Sequence, residues 1–377
     1  MARPDELGGA FVTDDRPATA AGPGRESGAP MAIALSPILS ARYRAGDLDR
    51  IRAAAPGARI VTLSREGLTD EPVEDVEVLL RGWLSSDAFD RLLARAPRLK
   101  WVHSASAGVE RALTPAARER GIVITNARGV FSRPIAEYVL MMILAVSRRL
   151  PGLLELQRER TWQPLEGVEL RDVTVGIVGL GSIGRAVGAL ATAFGCRVVA
   201  IRRRSEQGSG SLAGGPAGAA PRDADATAEA PSFGEVMLER VGGPETLPQL
   251  LAESDFVVLA APLTPETEDM IDAAALAAMK PSAWLINVAR GRLIDERALL
   301  NALADGTIGG AILDTFRDEP LPPASPFYDL PNVIVTPHTS WSSGRVLDRS
   351  VELFCDNLRR YAAGEPLLNV VDPTAGY

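Results

Sequence analysis

Short apolar runs alternate with helix-period stretches along most of this chain. MAIAL (31–35), ARIVTL (58–63), VEVLLRGW (76–83), LKWVHS (99–104) and GIVIT (121–125) are brief, rich in β-branched or aliphatic residues and bounded by turn formers, so they predict strands. DLDRIRAAA (47–55) and SSDAFDRLLARA (85–96) predict helices between them, with serine and aspartate as N-cap candidates. Thr114–Pro115 supplies an N-cap and first-turn pair for another. Such a βαβα rhythm predicts a parallel sheet covered on both faces, in a first unit of about one hundred residues. A long apolar-striped helix is expected from Ser132 to Leu150, interrupted by Pro151–Gly152. A second series follows, with VTVGIVGLG, CRVVAI, DFVVLAA, AWLINVA, GGAILD and NVIVT as strands, and VLDRSVELFCDNLRRYAAG (346–364) is a final helix. The fold class is therefore α/β, with two doubly wound parallel sheets and no repeat of solenoid period.

Two segments break the rhythm. Residues 1–30 carry charges of both signs and no apolar stretch, which predicts a disordered tail and not a secretory signal. From Ser205 to Ser232, 20 of 28 residues are Gly, Ala, Ser or Pro, too little apolar surface to repay ordering, so a flexible surface insertion is expected there. A formal charge of −8 argues against nucleic acid as a partner. Cys196 and Cys355 lie far apart without metal spacing, so neither a disulfide framework nor a metal site is expected, and a cytoplasmic, reducing location is the default. VLMMILAV (139–146) is much shorter than a membrane span.

The chemistry begins at GLGSIG, Gly179 to Gly184. Glycine-rich hexapeptides are common, but this one follows a strand and opens a helix, the context in which Gly179, Gly181 and Gly184 permit a tight turn and close approach of a dinucleotide pyrophosphate. The next strand ends in Arg202, Arg203 and Arg204, where an NAD-preferring site would place an acid for the ribose hydroxyls. Guanidinium groups suit a 2′-phosphate, so NADP(H) is expected as the preferred cofactor, with NAD(H) as the alternative and three solvated arginines as the bland reading. NVARG, LDTFRDEP and TPH each follow a strand of the second series and present Arg290, Asp314 with Glu319, and His338 on the side of the sheet where ligands bind. His338 is one of two histidines, set behind Pro337. Singly, each residue reads equally well as a turn or loop residue.

In this combination the chain resembles the D-isomer-specific 2-hydroxyacid dehydrogenases, over residues 50 to 371 and most strongly from Val173 to Ser343. GLGSIG, APLTPET, NVARG, LDTF, DEP and TPH stand in that family's order. The resemblance implies a flavodoxin-like substrate lobe (31–130 with 344–377 returning to it) and a Rossmann coenzyme lobe (131–343). It implies Arg290, Glu319 and His338 as catalytic residues. Arg290 would hold the carboxylate and polarise the ketone of a 2-oxo acid, His338 would supply the proton, and Glu319 would orient the imidazole. It further implies Ser182 and Ile183 at the pyrophosphate, and Ala261, Pro262 and Thr267 on the adenosine and ribose side. Val288 would contact the cofactor and Asp314 the nicotinamide carboxamide, although a strand-end aspartate also caps turns. WVHSASAGVE looks like the substrate loop, with Ala107 and Gly108 offering backbone N–H groups to the substrate carboxylate. His103 within it reads more readily as a core histidine, and Trp83 and Trp341 as packed aromatics that could also wall the pocket.

The expected activity is reduction of a small 2-oxo acid, glyoxylate or hydroxypyruvate first, to the D-2-hydroxy acid. Formate dehydrogenases share the scaffold but carry glutamine where Glu319 stands, since formate oxidation moves no hydroxyl proton. The alternative is a cofactor-sensing, co-repressor-like binding protein on the same scaffold. A homodimer through the cofactor lobe is expected by the same resemblance, with the apolar stripe Tyr138–Val146 as its face or, equally, as an internal hinge.

Overall fold

The computed structural model describes residues 30–38, 43–203 and 236–374, so the tail before Pro30, the 205–232 insertion and Arg204 lie outside the described residues. The first lobe contains β1 (Ala32–Leu35), α1 (Ala45–Ala54), β2 (Arg59–Thr62), β3 (Val76–Arg81), α2 (Ser86–Arg95), β4 (Trp101–Ser104), α3 (Pro115–Glu119) and β5 (Val123–Asn126). Its strands pair in parallel in the order β2-β1-β3-β4-β5, the flavodoxin-like arrangement. The helix starts follow the capping chemistry. The Ser85 side chain accepts from the Ala88 N–H, and Thr114 accepts from the Ala117 N–H with Pro115 in the first turn.

The second lobe opens with α4 (Ser132–Ser147) and α5 (Leu150–Arg158). It continues through β6 (Thr174–Val178), α6 (Ser182–Ala193), β7 (Arg197–Ile201), β8 (Arg240–Gly242), α7 (Leu247–Glu253), β9 (Phe256–Leu259), α8 (Ala273–Ala277) and β10 (Trp284–Asn287). It ends with α9 (Glu296–Ala304), β11 (Gly310–Leu313) and β12 (Val333–Val335). All strands are parallel, in the order β12-β11-β10-β9-β6-β7-β8. The last helix, α10 (Val346–Ala363), packs on α1, and its Phe354, Leu358 and Tyr361 join the core formed with Ile33, Leu35, Val78 and Leu80. In the second lobe, Val175 and Ile177 face α4 and α6, while Val178, Leu259 and Leu285 face α8 and α9. Burying each such side chain stabilises by about 1.5–3 kcal/mol.

Two expectations about α4 change. Pro151 does not merely interrupt a helix: Arg149 takes a left-handed conformation (φ 59°), and Leu150–Pro151 then open α5, where proline's missing N–H is harmless. The stripe from Tyr138 is largely covered within the chain, because Tyr138, Val139, Leu140, Met142 and Ile143 are buried and α4 packs on α6. Exposed apolar side chains in this region are Met141 on α4, Leu150, Leu153 and Leu154 on α5, and Trp162 and Val168 beyond it. Among the described residues no helix is long and apolar enough to cross a membrane, and no group of His, Cys, Asp and Glu could hold a metal ion.

The order of the second sheet reverses between β6 and β9, which opens a crevice beyond their carboxyl ends. Gly179 leaves β6 at φ +102°, and a Cβ there would run into the Ala260–Ala261 backbone that leaves β9. The glycine-rich turn therefore lies directly against the neighbouring strand end at the switch point.

Candidate active site

The phosphate cradle starts at Gly181, which precedes α6 and has no capping side chain. A Cβ at Gly181 would meet no protein atom within 4 Å, so the protein itself does not demand glycine here. The open space lies where Ser182 and Ile183, both half-buried, present the first N–H groups and positive dipole end of a twelve-residue helix. Gly184 sits one turn on, against the Gly179 carbonyl. These residues fit the pyrophosphate of a dinucleotide.

Arg202 and Arg203 follow β7 at the same edge, and the Arg202 N–H donates to the Gly242 carbonyl at 3.0 Å. Arg203 lies close enough to Glu266 to help hold that carboxyl below its usual value, after the larger effect of the Thr264 hydrogen bond. Arg203 is thus within electrostatic reach of the APLTPET loop. Within that loop Thr267 spends its hydroxyl internally: it accepts from the Thr264 N–H at 2.8 Å and donates to the Pro262 carbonyl at 2.8 Å, shaping the turn that starts at Ala261.

Arg290 follows β10. The Asn287 side chain brackets its turn, donating to the Arg290 carbonyl at 2.9 Å and accepting from the Ala289 N–H at 3.1 Å, with Val288 buried between. A Cβ at Gly291 would overlap the Phe316–Arg317 backbone, so the turn lies flat on the loop that carries Glu319. From that loop Glu319 Oε1 accepts from the Phe316 N–H at 3.1 Å, and Oε2 is 2.8 Å from His338 Nδ1. An ionised carboxylate only accepts, so Nδ1 carries the hydrogen and Nε2 is left for other partners. Burial raises the Glu319 pKa, but the hydrogen bond and charge of His338 and the charge of Arg290 outweigh it and hold the carboxyl below its usual value. Glu319 thus bonds His338, and the Arg290 charge reaches the same carboxyl. The pair is accessible, with His338 and Glu319 side chains 42% and 37% exposed.

His338 itself has φ +49°, a left-handed conformation that costs a non-glycine residue on the order of 1–3 kcal/mol. Asp314, fully buried at the end of β11, holds it there. Its carboxylate accepts from the Thr336 hydroxyl at 2.6 Å, the Thr339 N–H at 2.8 Å and the Ser340 N–H at 2.9 Å, on both sides of the histidine. Because Thr336 gives its one proton to Asp314, the Tyr138 hydroxyl donates to Thr336 (2.7 Å), which links α4 to the histidine loop. Trp341 donates its indole N–H to the His338 carbonyl at 2.7 Å and stands edge-on to Phe131, whereas Trp83 is 52% exposed.

The first lobe meets this cluster through the loop after β4. The Ala107 carbonyl accepts from Asn126 and the Gly108 carbonyl from Ser106. A Cβ on Gly108 would land on the Arg290 guanidinium, and Glu110 accepts from Arg290 Nε at 3.1 Å. Glu110 closes the WVHSASAGVE stretch, whose resemblance to a substrate loop pointed to Ala107 and Gly108 and not to this acid. His103, by contrast, is buried in β4 with Nδ1 on the Thr125 hydroxyl at 2.8 Å, away from this cluster of contacts.

Known proteins resemble this chain in sequence and in fold. Residues 140–216 and 226–340 match the model of the D-isomer specific 2-hydroxyacid dehydrogenase NAD binding domain. The chain is 32% identical over 338 residues to a glyoxylate reductase of Korarchaeum cryptofilum, covering 86% of this chain and 90% of that protein. It is 35% identical over 301 residues to the D-3-phosphoglycerate dehydrogenase of Mycobacterium bovis, covering 79% of this chain but only 51% of the longer relative. The structure superposes on the NADPH-dependent glyoxylate/hydroxypyruvate reductase of Sinorhizobium meliloti, solved with NADP and sulfate. That match has TM-score 0.73 and 26% identity, and covers 93% of this chain and all of that one. A parallel sheet with a glycine-rich turn at its switch point, and an Arg, Glu and His gathered at its strand ends, carry the same conclusion as these matches: the chain belongs to the D-isomer specific 2-hydroxyacid dehydrogenase family and is an NAD(P)-dependent oxidoreductase.

Proposed function

We propose that this protein is an NADPH-preferring reductase of small 2-oxo acids, of the glyoxylate and hydroxypyruvate type, that forms D-2-hydroxy acids. The observation that carries the reading is the Glu319–His338 hydrogen bond beside Arg290 at the mouth of the crevice. When bound, the reduced nicotinamide supplies a hydride to the carbonyl carbon. Arg290 receives the substrate carboxylate and draws electron density toward the ketone oxygen, a task for which its planar fork is suited. The backbone of Ala107 and Gly108 closes on the same carboxylate from the first lobe. His338, oriented through Nδ1 by Glu319, releases its Nε2 proton to the oxygen as the new C–H bond forms, which leaves a hydroxyl and a neutral imidazole. Gly179, Gly181, Ser182, Ile183 and Gly184 hold the pyrophosphate, with Ala261, Pro262 and Thr267 flanking the adenosine side. Val288 and Asp314 line the nicotinamide side, where Asp314 also fixes the histidine loop. Arg202 and Arg203 favour a 2′-phosphate. A cytoplasmic homodimer is part of the reading, with the exposed apolar side chains of α5 and the segment after it as the surface a second copy would cover.

The test is a panel of 2-oxo acids with NADPH and with NADH, followed by cofactor oxidation and by product chirality. Turnover should be faster with NADPH, yield the D product and fall about 10²–10⁴-fold in kcat for His338→Ala. Equal or better efficiency with NADH removes the cofactor preference. Tight cofactor binding without turnover of any 2-oxo acid removes the enzymatic reading in favour of a sensor.

A further inference from the structure

The side chain nearest Arg290 across the cleft is a carboxylate. Glu110 leaves the loop after β4 and accepts from Arg290 Nε at 3.1 Å, while Arg290 Nη1 turns back to the Ala289 carbonyl at 2.7 Å. The remaining terminal nitrogen faces the bare backbone at Gly108, where a Cβ would also crowd the Glu110 carboxylate. Neither partner is sealed off: the side chains of Arg290 and Glu110 are 35% and 47% exposed. Glu110 stays ionised here. Burial raises its pKa, but the Arg290 charge and hydrogen bonds hold it below the usual glutamate value, with a smaller contribution from Arg111.

We propose that Glu110 selects substrates by charge, admitting 2-oxo acids whose group beyond the ketone is neutral and disfavouring those with a second anion there, such as a phosphate or carboxylate. The proposal rests on reading the crevice as a 2-oxo acid site. Once a substrate carboxylate docks on Arg290, one guanidinium faces two anions. A third anion, only a few bonds further along the same small molecule, falls within the roughly 8–10 Å over which physiological salt leaves charges unscreened. It would be repelled by Glu110, whereas a hydrogen or hydroxymethyl group would not.

Hydroxypyruvate and phosphohydroxypyruvate differ only in the phosphate, so the ratio of their kcat/KM values isolates this effect from the shared attraction of Arg290. The native protein should favour hydroxypyruvate. Glu110→Gln should move the ratio toward the phosphorylated substrate by about tenfold, about 1.4 kcal/mol. Glu110→Asp, which keeps the charge, should leave the ratio within about twofold, a contrast that loss of packing alone would not produce. A native preference for the phosphorylated substrate, or a ratio unmoved in Glu110→Gln, overturns the proposal. If that variant does not fold, salt decides with the native protein. The ratio must shift toward phosphohydroxypyruvate as NaCl rises, and a flat or opposite response overturns the proposal. Absence of turnover with either substrate is a different failure, since it removes the underlying 2-oxo acid reading.

Discussion

Arg290 is placed as much by missing side chains as by partners. Gly291 lets its turn lie on the Phe316–Arg317 backbone, and Gly108 lets the first lobe touch the guanidinium. Gly108→Ala is therefore expected to displace the guanidinium and lower kcat/KM at least about tenfold, a cost of about 1.4 kcal/mol in transition-state stabilisation, with little change in melting temperature. Unchanged kinetics would mean that the loop yields instead. The small residues of this loop were legible as a place for backbone to approach a ligand. Glu110 was not, because nothing local marks an acid whose partner lies 180 residues away. His103 gives a second residue-scale prediction. Burial pushes its pKa down to about 3 from 6.5, so below 6.5 the unfolded chain binds a proton that the native chain does not. By that sign, stability falls as pH drops from 6.5 toward 3, by about 2 kcal/mol at about pH 5. Denaturant melts should show the native protein losing this margin relative to His103→Asn on acidification. A constant difference between the two down to pH 5 would refute it.

Among elements, the apolar runs located the strands because parallel strands buried on both faces leave continuous hydrophobic stretches. β8 escaped for the complementary reason: Arg240–Gly242 is a half-exposed edge strand without such a run. The break between α4 and α5 falls about three residues before the expected one, because a proline interrupting a helix and a proline opening the next one look alike until the left-handed Arg149 is seen. The Thr336–Ser340 loop could be read as the carrier of a histidine but not as a device. Its shape depends on Asp314, whose three donors and whose link through Thr336 to Tyr138 arise only once β11, β12 and α4 are assembled. Asp314→Asn turns an acceptor into a donor opposite backbone N–H groups and should leave at least one buried group unsatisfied, at a cost of about 1–3 kcal/mol. With His338 then free to leave its φ +49° conformation, kcat should fall together with melting temperature. Tyr138→Phe, which removes only the outer link, should do less of both. Equal effects from the two variants would place the anchoring elsewhere.

For the molecule as a whole, the lobes are joined twice, between β5 and α4 and between β12 and α10, and Arg349 on α10 donates to the Val130 carbonyl of the first connection at 3.0 Å. The proposed site uses both lobes: the cradle, Arg290, Glu319 and His338 from one, Ala107, Gly108 and Glu110 from the other. The proposed cofactor contacts lie almost entirely within the second lobe, so the cofactor should bind without the substrate, whereas a substrate analogue should need both lobes and the cofactor between them. Ligand binding to the native state alone raises stability by about 2.7 kcal/mol at a hundredfold excess over Kd. Thermal melts should thus show a clear rise with NADPH, a smaller one with NADH at equal concentration, and a further rise with an unreactive 2-oxo acid mimic such as oxamate only when NADPH is present. A rise with oxamate alone equal to that seen with cofactor would mean that the first lobe and Arg290 make the acid site without the cofactor. The two-lobed assembly would then not set the order of binding.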